Sequence, residues 1–423
     1  MQMKRALVLC GGGSLGSYEI GAWKKLRELG ITFDIVTGTS IGAINGAMVV
    51  SGEFEKALTL WEQIETDEVM NYGIDFDRDF WGEIDFRKGS RFRSFVSSYL
   101  KGSGVDITPF KNLLTATIDC HKVVSSKIVF GCIATEFPST KETRFLFTGG
   151  SEENVIPYLL ATSACFPIFP KYKIGEKLYI DGGWRNNLPI DYALELGADE
   201  VVTVLLHSFP PNPQKPEYYH DLPNVTLIAP SLPQGSIMSF KKDALMRNMR
   251  LGYLDAGKAY KEYRGFSYTF TKDEDIAESA RYFFKKLLAK GMDVYLEAKK
   301  FLAYEGKEPQ TEEDIYLRNL ERLATLHAIN PIEIYKPSEL AKMVFDQTVA
   351  FVPDKSINRK RMSPEELEKW YLLEVASRLD STKSHHGKRK IEETLDRIFL
   401  KPFLKPKALP VRVKESRPYK PLP

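Results

Sequence analysis

The chain has 423 residues, of which 43% are hydrophobic and 27% charged, and its formal net charge is +3 at pH 7. It is too long for one ordinary hydrophobic core, so we expect two or three units with the composition of a soluble globular protein. No stretch approaches the roughly 20 continuous apolar residues of a membrane span. Four cysteines provide no disulfide framework, which favours a reducing cytoplasmic environment.

The net charge is unevenly distributed along the chain. Residues 381–423 contain twelve Lys or Arg and four Asp or Glu, a net charge of +8, which leaves −5 for the rest. A basic tail on an acidic body suggests peripheral contact with an anionic membrane, and a solvated, disordered end explains the same pattern equally well. No nucleic-acid-binding motif accompanies the charge, so no nucleic-acid partner is expected.

Up to about residue 230, short apolar runs alternate with amphipathic segments. This alternation predicts an α/β fold with a largely parallel central sheet. The runs that indicate strands are ALVLC, FDIVTG, KIVFGCIATEF, KLYID, DEVVTVLLH and NVTLIA.

After Pro230 the pattern changes to helical periodicity, and Thr311 with Asp314 indicates the start of one helix. We therefore expect an α/β domain over residues 1–265, a helical region over 266–380 and the basic, Pro-containing tail over 381–423.

A glycine-rich loop follows the first strand. Gly11, Gly13 and Gly16 have the G-x-G-x-x-G spacing of a dinucleotide-binding turn. The same backbone N–H groups can hold an oxyanion instead. The loop alone leaves both alternatives open.

The second strand ends in Gly38-Thr39-Ser40-Ile41-Gly42, a G-x-S-x-G sequence followed by a helical segment. This context predicts a nucleophile elbow with Ser40 exposed above the sheet. A dinucleotide site would need an acidic residue at this strand end, whereas Asp34 stands at the beginning of the strand.

A serine nucleophile needs a base, and Asp181 is the main candidate because it follows a short strand and precedes Gly182-Gly183. A plain Asp-Gly turn is the simpler interpretation of that segment. Ser40, Asp181 and His207 also follow the chain order of an α/β-hydrolase triad, although only one strand precedes the elbow and His207 ends a run typical of a buried strand.

The glycine loop, the elbow and the Asp-Gly-Gly segment, together with ATSACFPIFP, NNLPI and LGYLDAGKAY, resemble the patatin-like phospholipases over about residues 5–260. The resemblance implies a three-layer α/β fold and a Ser40–Asp181 dyad that works without histidine, metal or organic cofactor. It also implies an oxyanion hole formed by Gly11, Gly12, Gly13 and Ser14. The glycines that support the three motifs are Gly16, Gly38, Gly42, Gly182 and Gly183.

The expected function is hydrolysis of carboxylic esters in phospholipids or lysophospholipids. The alternatives are a nucleotide- or dinucleotide-binding protein that uses the Gly11–Gly16 loop, and a catalytically silent module associated with membranes. Leu15 departs from the Arg or Lys of many family members, which removes a positive charge near the loop. Residues 76–95 interleave aromatic and basic side chains, as expected of a cap that admits lipid or of helices packed over the sheet.

Overall fold

The computed structural model describes residues 3–64, 69, 106–207, 224–289, 291–292, 295–296, 299 and 311–351. The chain divides into two compact units, the first comprising residues 1–269 and 332–334 and the second comprising the remainder. The proposed cap at 76–95 and the basic tail at 381–423 lie outside the described residues. Within the described ranges, no helix combines the length and the hydropathy needed to cross a bilayer.

The first unit is built on an eight-stranded sheet. Its strands are β1 Arg5–Leu9, β2 Ile35–Thr39, β3 Val129–Phe137, β4 Glu142–Leu146, β5 Tyr172–Ile174, β6 Lys177–Asp181, β7 Glu200–Val204 and β8 Val225–Ile228. Their order in the sheet is β5-β6-β3-β2-β1-β7-β8, with β4 paired to β3. The pairs β1–β2, β1–β7, β2–β3 and β7–β8 are parallel, whereas β4, β5 and β6 pair antiparallel. The predicted largely parallel sheet is confirmed, and all six predicted strands are present.

Helices and short 3₁₀ turns connect these strands. The helices are α1 Ser17–Glu28, α2 Ile41–Val50, α3 Phe54–Gln63, α4 Thr108–Thr117, α5 Cys120–Val124, α6 Val155–Thr162, α7 Ile190–Glu195 and α8 Lys242–Ala259. The 3₁₀ turns span Gly13–Gly16, Glu152–Asn154 and Gly182–Trp184.

Helices cover both faces of the sheet. Successive side chains of a strand point to opposite faces. On β2, Val36 packs near Gly46 of α2, whereas the Thr37 hydroxyl donates to the carbonyl of Pro189, directly before α7, at 3.0 Å. Helices α2 and α7 therefore lie on opposite faces, and the first unit has the predicted three layers.

The described part of the second unit is mainly helical, with α9 Ala277–Leu288, α10 Glu312–Leu326 and α11 Pro337–Phe351. The predicted start of α10 is confirmed, because Thr311 and Asp314 form a capping box. Apart from the eight-stranded sheet, two short strands, β9 Thr269–Phe270 and β10 Ile334–Tyr335, pair with each other at the boundary residues of the two units.

Candidate active site

Ser40 occupies a sharp turn between β2 and α2. Its backbone has φ 54° and ψ −125°, a conformation that costs a residue with a side chain on the order of 1–3 kcal/mol. No side chain among the described residues caps the N-terminus of α2, so the positive end of the helix dipole faces the turn. The turn therefore presents the Ser40 hydroxyl in an electropositive position.

The two glycines that flank Ser40 are required by close backbone contacts. A Cβ atom on Gly38 would lie 2.5 Å from the carbonyl oxygen of Gly42. A Cβ atom on Gly42 would lie 2.5 Å from the carbonyl oxygen of Leu9 in β1. The G-x-S-x-G spacing thus allows α2 to begin directly against the sheet.

Strand β3 brings Ser40 and Asp181 together. Thr39, the last residue of β2, pairs with Ile133, and Asp181, the last residue of β6, pairs with Ala134. Because these partners are consecutive in β3, the ends of β2 and β6 meet. The Ser40 side chain lies close enough to the Asp181 carboxylate to lower the pKa of that group.

Asp181 is a buried carboxylate, with 7% of its surface exposed. Burial raises its pKa to about 6, although the nearby Ser40 side chain and a hydrogen bond from the Gly183 amide lower it. The Gly183 N–H donates to Oδ1 at 2.7 Å, which fixes the orientation of the carboxylate. A carboxylate with this pKa is a better proton acceptor near neutral pH than an exposed aspartate.

Backbone and side-chain contacts hold the elbow in place. The Ser40 amide donates to Thr162 Oγ1 at 2.9 Å, and the Thr162 hydroxyl donates in turn to the carbonyl of Ile133. The Thr39 hydroxyl donates to the carbonyl of Asn186 at 2.8 Å. Thr162 lies in the segment ATSACFPIFP and Asn186 lies in the segment NNLPI. The sequence alone did not indicate that these two residues contact the elbow.

The glycine-rich loop lies beside Ser40, because a Cβ atom on Gly11 would be 3.2 Å from the Ser40 Cβ. The Gly11 amide already donates to the carbonyl of Asn187 at 3.1 Å, and the Ser14 amide donates to the carbonyl of Ile237 at 2.8 Å.

The amides of Gly12 and Gly13 donate no hydrogen bond to any other described residue. Of the four predicted oxyanion donors Gly11, Gly12, Gly13 and Ser14, the amides of Gly11 and Ser14 thus have carbonyl partners, and the role of all four stays a prediction.

Asn187 joins the glycine loop to the Asp181 turn, and the sequence alone did not single it out. Its side-chain amide donates to the carbonyl of Gly11 at 2.9 Å. A Cβ atom on Gly11 would lie 2.3 Å from its Oδ1, and one on Gly183 would lie 2.6 Å away. Both positions must be glycine for this side chain to fit between them.

The remaining motif glycines are also tightly packed. A Cβ atom on Gly16 would lie 2.5 Å from the Ile41 side chain, and one on Gly182 would lie 2.2 Å from the carbonyl oxygen of Ile133. Leu15 is completely buried, so this position belongs to the core.

His207 belongs to the alternative triad, and Asp34 is the acidic residue considered for a dinucleotide site. Both make contacts outside the Ser40–Asp181 pair. The His207 amide donates to the Gln234 side chain at 2.9 Å, and no hydrogen bond between His207 and Ser40 or Asp181 is recorded within the described part of the chain. Asp34 accepts a hydrogen bond from the Arg5 amide at 2.9 Å, at the start of the paired strands β1 and β2.

Comparisons with known proteins show which family this part of the chain resembles. A family model described as Patatin-like phospholipase matches residues 7–194, which include Ser40 and Asp181. Lysophospholipase nte1 of Aspergillus terreus is 28% identical over 216 residues, 51% of this chain and 12% of that protein. Patatin-like phospholipase domain-containing protein 7 of Rattus norvegicus is 27% identical over 203 residues, 47% of this chain and 13% of that protein.

The chain therefore spans only about an eighth of the length of these relatives. The crystal structure of VipD from Legionella pneumophila has a TM-score of 0.39 and 13% identity, covering 93% of this chain and 86% of that one. This TM-score is too low to establish a shared fold. The family-model match identifies residues 7–194 as a patatin-like phospholipase domain.

Proposed function

We propose that the protein is a serine-dependent lipid acyl hydrolase that cleaves carboxylic esters of phospholipids or lysophospholipids through Ser40 and Asp181. The observation that carries the proposal is that β3 brings Ser40, on its strained turn, next to the buried Asp181 carboxylate, whose pKa the Ser40 side chain lowers. The amides of Gly12 and Gly13 on the neighbouring loop donate no hydrogen bond within the described part of the chain. They supply the third element, a place for a developing negative charge.

In the first half of the reaction, Ser40 Oγ attacks the ester carbonyl carbon and Asp181 accepts the hydroxyl proton. The electron pair of the carbonyl double bond moves to its oxygen, and the amides of Gly12 and Gly13 stabilise that oxyanion. Each such donor contributes about 3–4 kcal/mol to lowering the barrier. Collapse of the intermediate breaks the ester C–O bond, and the alcohol leaves with the proton from Asp181.

In the second half, a water molecule attacks the Ser40 ester while Asp181 accepts its proton. The same amides hold the second oxyanion. Breakage of the Ser40–acyl bond releases the fatty acid, and the proton returns to Ser40. One carboxylate thus serves as base and acid in turn, which requires a pKa near the working pH. The raised pKa of Asp181, about 6, satisfies that requirement.

The substrate class follows from the relatives, which are named lysophospholipase and patatin-like phospholipase. Peripheral contact with a membrane is part of the proposal because a lipid ester is presented at a bilayer or micelle surface. The basic tail is the proposed contact, and the cytoplasm is the proposed location.

The test is release of fatty acid from phosphatidylcholine and lysophosphatidylcholine by the purified full chain. Ser40→Ala should lower the rate by at least 10³-fold. The matched control is Ser51→Ala at the opposite end of α2, where the hydroxyl donates to the carbonyl of Ala47. The control should retain activity within twofold. Equal activity of the Ser40 and Ser51 variants would contradict the proposal.

The same preparations test the alternatives. Binding of NAD in calorimetry, unaffected by Ser40→Ala, would support a dinucleotide-binding protein. Vesicle binding without any hydrolysis would support a silent membrane module. Two amides of the glycine loop are already occupied by Asn187 and Ile237, which leaves fewer donors for a pyrophosphate.

A further inference from the structure

A chain of buried polar side chains lies beneath the glycine loop. Trp61 Nε1 donates to Asn45 Oδ1 at 3.0 Å, and Asn45 Nδ2 donates to Glu19 Oε2 at 2.7 Å. Glu19 and Asn45 are only 1% and 2% exposed. The mechanism above uses none of these groups, so their burial needs another explanation.

This polar chain holds both ends of the loop. The Cys10 amide, directly before Gly11, donates to Glu19 Oε1 at 2.8 Å. Asn45 Nδ2 also donates to the carbonyl of Gly16, the last glycine of the loop, at 3.0 Å. The two amides proposed to bind the oxyanion lie between these anchors, so their position depends on them.

The polar chain also connects the loop to the serine elbow. Asn45 lies on α2, the helix whose N-cap is Ser40. A shift of the loop relative to α2 would stretch the hydrogen bonds of Asn45. Asn45 therefore links the glycine loop to the helix that begins directly after Ser40.

The direction of the hydrogen bonds explains why residue 19 is a glutamate. Two donors, from Cys10 and Asn45, meet its two oxygens. A carboxyl group keeps an acceptor lone pair on each oxygen even when it is protonated, whereas the NH₂ group of a glutamine accepts no hydrogen bond and would face a donor. Rotation of the Asn45 amide would not remove the conflict, because Asn45 Oδ1 already accepts from Trp61.

A carboxyl group at the buried position of Glu19 lowers the stability of the fold. Burial raises the pKa of Glu19 to about 8, and hydrogen bonds from Asn45 and Cys10 offset only part of that effect. Because this pKa exceeds the ordinary value of 4.5, ionisation at rising pH opposes folding. A hydrophobic side chain at position 19 would avoid this loss of stability. The presence of a glutamate therefore indicates that the hydrogen bonds it accepts have a function.

We propose that Glu19, together with Asn45, is a positioning residue that fixes the Gly11–Gly16 loop so that the amides of Gly12 and Gly13 face the oxyanion formed at Ser40. The proposal rests on the proposed function. It assigns Glu19 no contact with the substrate.

Loss of this anchor should slow the chemistry and leave substrate binding intact. Misplacement of reacting groups by about 1 Å costs on the order of 10²-fold in rate. Glu19→Ala is therefore expected to lower kcat for a soluble ester, p-nitrophenyl butyrate, about 100-fold, with KM within threefold. Glu19→Gln keeps one acceptor and should recover at least tenfold of that loss.

The decisive experiment measures the rate constant and the end point of labelling by a fluorophosphonate. In this reaction the Ser40 Oγ–P bond forms, the P–F bond breaks, fluoride leaves and Asp181 takes the hydroxyl proton. The phosphonyl oxygen then occupies the place of the oxyanion. The end point counts competent molecules, so a variant that is partly unfolded still reports the rate constant of its folded fraction.

Asp255→Asn is the matched control. Asp255 is also a buried, hydrogen-bonded carboxylate, which accepts from Tyr18 at 3.0 Å and from Ser231 at 2.7 Å, but it does not anchor the loop. Glu19→Ala should label about 100-fold more slowly than the parent, and Asp255→Asn should label within threefold of it. Because Glu19 and Asn45 act through one loop, Glu19→Ala combined with Asn45→Ala should be little slower than Glu19→Ala alone.

Each outcome decides the proposal. If the parent protein is not labelled at Ser40, the proposed function fails. If the parent is labelled and Glu19→Ala labels at the parental rate, the positioning role is wrong and the proposed function stands. Equal slowing by Asp255→Asn, or a Glu19→Ala defect confined to KM, would also overturn the positioning role.

Discussion

The pH dependence of hydrolysis gives a quantitative test of the role proposed for Asp181. Burial raises its pKa from 3.8 to about 6. The base must be ionised to accept the Ser40 proton, so kcat/KM should rise with pH and level off above pH 7. With a pKa of about 6, the ionised fraction grows roughly tenfold between pH 5 and pH 7. With the ordinary pKa, it would change by less than about 10% over the same range.

The assay is kcat/KM for p-nitrophenyl butyrate between pH 4.5 and pH 8 at constant ionic strength, because this parameter reports groups of the free enzyme. A control variant is Asp34→Asn, which removes a carboxylate at the opposite end of β2 and should leave the midpoint unchanged. A flat profile above pH 5, or a midpoint near pH 4, would refute the assignment of Asp181 as the base.

The raised pKa of Asp181 also affects the free energy of unfolding. Because the folded-state pKa exceeds the unfolded value, the proton on Asp181 stabilises the fold below pH 3.8, and this contribution is lost as pH rises through about 6. The loss amounts to about 3 kcal/mol at pH 8. Asp181→Asn should therefore abolish turnover and raise the free energy of unfolding in urea at pH 8, by up to about that amount. A variant that is inactive and less stable at pH 8 would contradict the burial argument.

Three further predictions concern single sites. Ser40→Gly and Ser40→Ala should both be inactive. The glycine variant should be about 1 kcal/mol more stable in urea than the alanine variant, because φ at residue 40 is 54°. An alanine variant of equal or greater stability would show that the turn stores no strain. His207→Ala should keep kcat/KM within threefold, and loss of turnover in a normally folded variant would favour the triad. The full chain should co-sediment with anionic vesicles at low salt more than a chain ending at Asp380 and lose the difference at high salt, whereas equal sedimentation would show that the tail is not the contact.

Much of the fold follows from the sequence pattern, because buried parallel strands are continuous apolar runs. The strands β4 and β5 were not predicted. Their sequences, ETRFL and YKI, are short and carry charged residues. They pair antiparallel outside the parallel part of the sheet, so neither burial nor alternation produced a clear pattern.

Residues of the candidate site could be proposed from the sequence where a residue type carries a local signal. Ser40 and Asp181 stand in short motifs at strand ends, and β3 brings those ends together. The supporting contacts join positions that are far apart in sequence, such as Asn187 with Gly11, 176 residues away, and Ser40 with Thr162, 122 residues away. Nothing in a single sequence distinguishes such an asparagine or threonine from an ordinary buried polar residue.

The oxyanion loop shows the same limit. The family resemblance implied four backbone amides, and two of them are occupied by the carbonyls of Asn187 and Ile237. The occupation depends on the approach of a distant segment. Motif spacing indicates where donors lie along the chain, and tertiary structure decides which of them remain available.

The most direct measurement of the central claim is mass-spectrometric mapping of the fluorophosphonate adduct on the full chain. The account predicts one stoichiometric adduct on the peptide that contains Ser40, absent in Ser40→Ala and slowed by at least 10³-fold in Asp181→Asn. An adduct on any other serine, or labelling at the parental rate in Asp181→Asn, would contradict the proposed dyad.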